Sequence, residues 1–130
     1  MALREILDYV KDDGTNVIAD WLDSFSTNER DKVKAKLDVR LNYLRTVATI
    51  RDDWMEKLGG EDDGIHEIKI LYRNVQYRIL SCEGPGSSQI TMLFPATERN
   101  DRLRPPGARR TAQERSADIH MEERTVIHDY

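Results

Sequence analysis

A single cysteine, Cys82, excludes an internal disulfide and a thiolate metal cage, which fits a reducing compartment. It reads as a residue that fills space in a strand. No run of about 18 or more apolar residues occurs. The opening Met1-Ala2-Leu3-Arg4-Glu5 meets charge at once, so neither a signal segment nor a membrane span is expected, and the expected location is the cytoplasm. Repeats and low-complexity tracts are also missing. The one linker-like stretch is the proline-, glycine- and arginine-bearing segment from Arg102 to Arg110. What is left is one domain spanning residues 1–130, long enough to bury an ordinary hydrophobic core.

The net charge of −4 excludes a generic nucleic-acid-coating protein, but it averages over three unlike regions. Residues 1–64 carry 10 Lys/Arg against 15 Asp/Glu, residues 65–110 carry 8 against 4, and residues 111–130 carry 2 against 5. A basic middle between acidic flanks is suited to local phosphate binding.

The patterning predicts an α+β fold. Arg4 to Val10 reads as a strand ended by the turn signal Asp12-Asp13-Gly14. Asn16 then caps a helix whose apolar face carries Val17, Ile18, Trp21, Leu22 and Phe25. Ser26 with Glu29 forms a capping box for a longer helix bearing Val33, Leu37, Leu41, Leu44 and Ala48. The cations Lys32, Lys34, Lys36 and Arg40 read as a nucleic-acid stripe or a solvated face, and the interspersed Asp31 and Asp38 favour the solvated face. Asp52-Asp53 and Glu61-Asp62-Asp63, beside glycines, read as turn chemistry. From Ile65 the period falls to two, predicting strands over Ile65–Tyr72, Val75–Leu80 and Gln89 to about Thr97. A last helix is expected from Ala108 to Glu123, with Tyr130 ending a short tail.

Arg73-Asn74 as a two-residue hairpin loop pairs Tyr72 with Val75, Ile70 with Tyr77 and Ile68 with Ile79 on one apolar face. His66 falls on that face as a core residue, while His120 falls on helix surface. The same register sets Lys69 opposite Arg78 on the other face. Like charges in that relation repel, by a fraction of a kcal/mol, roughly, where water screens them. Two readings follow: the pair receives an anion, or Glu67, diagonal to Arg78, neutralises a plain solvent-facing sheet.

The stretch Lys57-Leu58-Gly59-Gly60, then Gly64-Ile65-His66-Glu67-Ile68-Lys69-Ile70, then Val75-Gln76-Tyr77-Arg78-Ile79-Leu80 resembles the RelE/HigB/ParE toxin superfamily, particularly its phage-derived HigB-like branch. Ile90 to Arg99 is similar to that branch's next strand and basic exit loop. The motif-bearing part covers about residues 57–104, and the preceding strand and two helices follow the family's order.

The resemblance implies a twisted antiparallel sheet packed on two N-terminal helices, with a C-terminal helix. It further implies the toxin of a type II toxin–antitoxin system, an endoribonuclease that cuts messenger RNA on the ribosome without metal or other cofactor. Its implied partners are a helix-turn-helix antitoxin, forming a toxin–antitoxin hetero-oligomer, together with the ribosome and mRNA. Alternatives inside the resemblance are a ParE-like gyrase inhibitor and a non-catalytic phage-derived interaction module. Carried onto this chain, the family's catalytic cations fall on Lys69, Arg78 and Arg99. Arg78 suits two-point clamping of a phosphate. Lys69 is open to two roles, general base or electrostatic stabiliser. Arg99 would reach the phosphate or the leaving oxygen from its loop. Glu98 stands where many relatives have a cation, and His128-Asp129-Tyr130 lies in the region of a family residue that is often Tyr or His.

Overall fold

The computed structural model describes residues 3–51, 54–60 and 64–130. Along the chain these form β1 (Glu5–Tyr9), α1 (Val17–Asp23), α2 (Thr27–Thr46), β2 (Met55–Lys57), β3 (Ile65–Tyr72), β4 (Val75–Glu83), β5 (Gln89–Arg99), β6 (Arg102–Arg104), α3 (Ala108–Ser116), a 3₁₀ turn (Glu122–Arg124) and β7 (Thr125–Ile127). Asp52-Asp53 and Glu61-Asp62-Asp63 lie outside the described residues. No helix among the described residues is long and apolar enough to cross a membrane.

Local chemistry sets the helix starts. The Asn16 side chain accepts from the backbone N–H of Ile18 and Ala19, each at 3.0 Å, while its amide donates to Asp8 at 3.0 Å, so one residue both caps α1 and ties it to β1. Ser26 Oγ accepts from Glu29 N at 3.4 Å and begins α2. Val33, Leu37, Leu41 and Leu44 form its buried stripe. Each contributes about 1.5–3 kcal/mol on burial. At the other end of α2, the Arg4 guanidinium donates to the carbonyl of Leu44 (2.9 Å), one the helix leaves unpaired, and to that of Ala48 (3.0 Å) just past it. Ala48, expected inside the helix, lies just beyond it and is exposed.

The sheet runs β2-β3-β4-β5-β1-β7, with β6 added alongside the end of β5. All its pairings are antiparallel except β1 with β5, where Ile6 stands beside Ile90. The β3–β4 register is the one expected, with Ile70 opposite Tyr77, Ile68 opposite Ile79 and Lys69 opposite Arg78. Arg73 and Asn74 both take positive φ, 50° and 63°, as a two-residue turn between twisted strands requires. The Arg73 guanidinium meets Glu29 of α2 at 3.0 Å. Helices α1 and α2 cover one face of the sheet, where Ile68, Ile70 and Ile79 are buried and Trp21, Phe25 and Tyr77 meet edge to face. Helix α3 covers β4 and β5 on the other face, bringing the small residues Ala108 and Ala112 into the core.

Several boundaries differ from expectation. Helix α3 stops at Ser116 instead of Glu123, because the chain turns to put Ile119 into the core against Gly84 and to carry β7 to the free edge of β1. The expected tail is therefore β7, followed by a buried His128. Part of the linker-like stretch is strand β6, and β5 continues to Arg99. His66 is buried as expected, and burial lowers its pKa. His120 is exposed but lies in the turns after α3, not on a helix.

Candidate functional site

Lys69 and Arg78 come together at the middle of the β3–β4 ladder, on the face opposite α1 and α2. Strand alternation puts Glu67 beside Lys69 on that face. It also puts Ala96 and Glu98 of β5 there, since these pair with Arg78 and Gln76. The neighbouring α3 roofs part of this surface, which explains why Arg78 is only 8% exposed while Lys69 is half-buried.

Neither cation stands alone. Lys69 Nζ donates to Glu56 of β2 at 2.7 Å, and that ammonium holds the Glu56 carboxyl below its usual range. The Arg78 guanidinium donates to Glu98 at 3.1 Å, to Gln76, and to the Tyr77 carbonyl at 3.3 Å, while its Nε has no hydrogen-bond partner among the described residues. The repulsion expected between Lys69 and Arg78 is thus relieved by Glu56 and Glu98. Glu67, expected to neutralise Arg78 on an open surface, is instead 5% exposed, and its Oε2 has no partner among the described residues. Burial pushes its carboxyl above the ordinary range, and the positive charges of Arg109 and Arg78 draw it part of the way back.

Arg99 does not join the pair. It follows Glu98 on β5, so alternation turns its side chain to the other face, where it stands opposite Arg102 at the exposed β5–β6 turn. Glu98, opposite Gln76 and diagonal to Arg78, is the residue of this stretch that meets the guanidinium. His128 is also remote: it extends β7, three strands from β4 in the sheet order, and lies on the α1/α2 side. There its Nδ1–H meets both Asp8 oxygens, at 2.9 and 3.0 Å, and its ring lies 4.3 Å from that of Tyr130.

Sequence reasoning missed Glu56 as a member of the site, read Glu67 only as a neutraliser of the pair, and read Glu98 only as a departure from the family's cation. Glu67 and Glu98 had a usable signal, being carboxylates at the alternating positions that share the Lys69–Arg78 face. Glu56 had none, because β2 is three residues long and its pairing with β3 is not local.

Chemically, the arrangement offers a guanidinium and an ammonium set to hold an anion in exchange for their carboxylates, with a third carboxyl beside them. Searches of protein families, curated proteins and solved structures returned no match for this chain.

Proposed function

We propose that the protein is the toxin of a toxin–antitoxin pair, a metal-independent endoribonuclease that cuts messenger RNA on the ribosome. The observation that carries this reading is the in-register Lys69–Arg78 pair on the face away from the two N-terminal helices. The resemblance of residues 57–104 to HigB-like toxins points the same way. In this reading the ribose 2′-oxygen attacks the adjacent phosphorus. Arg78 takes the phosphate oxygens through its planar fork, releasing Glu98, and stabilises the added negative charge of the phosphorane. Lys69, already engaged as an ammonium by Glu56, suits charge stabilisation at the same phosphate. Arg99, with Arg102 and Arg104, forms an exposed cationic rim for flanking nucleotides. A helix-turn-helix antitoxin is the partner that would keep this activity in check.

A second reading rests on the carboxylates. Glu56 and Glu98 already compensate the two cations, as suits a surface that binds a protein, whether gyrase or another target, without catalysis. The experiment is to induce the protein in cells without its antitoxin and map 5′ ends on translated messengers. New ends inside reading frames that vanish when translation is blocked support the nuclease. Intact messengers with double-strand DNA breaks favour the gyrase reading, and intact messengers with unimpaired growth favour the interaction module.

A further inference from the structure

On the Lys69–Arg78 face, two of three carboxylates are spoken for. Glu56 holds Lys69 and Glu98 holds Arg78. Glu67 differs from both, since it is more deeply buried and its Oε2 lacks a hydrogen-bond donor among the described residues. Groups facing it from the surrounding elements are Glu56 of β2, Arg78 of β4, Glu98 of β5 and Arg109 of α3, with Lys69 two residues along its own strand. A buried carboxylate oxygen without a donor is costly, and in native structures such a group marks stored strain, a catalytic or redox role, or a bound water or ion.

We propose that Glu67 is the general base that takes the proton of the attacking ribose 2′-hydroxyl. This rests on the ribonuclease reading and deepens it. A phosphate placed over Lys69 and Arg78 brings its neighbouring ribose to the side chain two residues back along β3, and the 2′-hydroxyl is the donor that Oε2 lacks. DNA has no such donor, so the same contact selects RNA. Of the groups on this face, Arg78 has no lone pair to accept a proton, and Lys69 is bound as a donor to Glu56.

The step balances. The 2′-hydroxyl proton passes to Glu67 as the O2′–P bond forms; the P–O5′ bond breaks, and the 5′-oxygen takes a proton from water. The products are a 2′,3′-cyclic phosphate and a 5′-hydroxyl, and Glu67 returns its proton to the hydroxide left behind. Burial raises the carboxyl's basicity, which favours proton removal near neutrality.

The test is single-turnover cleavage of a translated messenger by the full chain on ribosomes, followed across pH for wild type, Glu67→Gln, Glu67→Asp and Arg78→Ala. Glu67→Gln should slow cleavage by about 10²–10⁴-fold, leave the half-saturating protein concentration nearly unchanged and abolish the acid limb of the rate profile. Glu67→Asp should regain part of the rate with an acid limb at a shifted position. That variant decides the matter if thermal melts show Glu67→Gln unfolded. Wild-type rate and acid limb in Glu67→Gln, with Arg78→Ala inactive, would overturn the role of Glu67 and leave the ribonuclease standing. A wild type that leaves the messenger whole would overturn both.

Discussion

The β3–β4 hairpin and the β1–β7 end of the sheet both bury charged groups, but they satisfy them differently. At the β1–β7 end, Asp8 is fully buried and accepts from His128 Nδ1–H and the Asn16 amide, while Arg45 of α2 donates to the His128 carbonyl at 3.1 Å. The His128 links span 83 and 120 residues and the Asn16 link only 8, so the network stitches β7 and α1 to β1. At the hairpin, the partners of Lys69 and Arg78 are partly open to water, with the Glu56 and Glu98 side chains 47% and 27% exposed. In the proposed reaction an incoming phosphate displaces them. One sheet thus uses polar burial for assembly on one face and for presentation of charge on the other.

Mutation should separate the two. The largest effect is expected from Asp8→Ala, which leaves His128 and Asn16 without their acceptor in a closed environment. The loss should be about 1–3 kcal/mol for each of the two donors left unsatisfied, and urea unfolding measures it. A loss no larger than that of an exposed pair would erase the contrast. Next comes Lys69. Because its ion pair with Glu56 is partly exposed, Lys69→Ala should change stability by less than about 1 kcal/mol while reducing cleavage. Lys69→Arg should keep most of the activity if the charge alone matters, and unfolding curves beside 5′-end mapping would show it. The smallest effect concerns Cys82, whose thiol burial pushes up to about 12. In mildly alkaline buffer it should resist alkylation in the native protein and react readily in denaturant; rapid native labelling would show that β4 opens.

Much of this fold was legible because its signals are local. Asn16 and the Ser26–Glu29 pair marked the helix starts, and the alternation around Arg73-Asn74 set the hairpin register and hence the Lys69–Arg78 pairing. Strands β2, β6 and β7 were not legible, since three residues cannot display a period. The parallel placement of β1 beside β5 depends on contacts some 84 residues apart, as between Ile6 and Ile90. The end of α3 depends on Ile119 finding the core. The same limit applies at the site: residue type and spacing named the two cations, whereas the burial of Glu67 depends on tertiary packing, which no local pattern encodes. Arg99, expected to reach the phosphate from a loop, instead ends β5, and strand parity turns it to the face away from Lys69 and Arg78.

Arg78 tests the central claim most directly, by separating charge from geometry. Because it is buried and paired with Glu98 and Gln76, Arg78→Ala should also lose about 1–3 kcal/mol of stability through the partners left unsatisfied, so each variant is melted before it is assayed. Arg78→Lys keeps the charge but not the two-point fork. In 5′-end mapping of translated messenger RNA, both variants should fall by about 10²-fold or more relative to wild type while remaining folded at the assay temperature. Wild-type cleavage by folded Arg78→Ala would contradict the account and remove the hairpin from the active site.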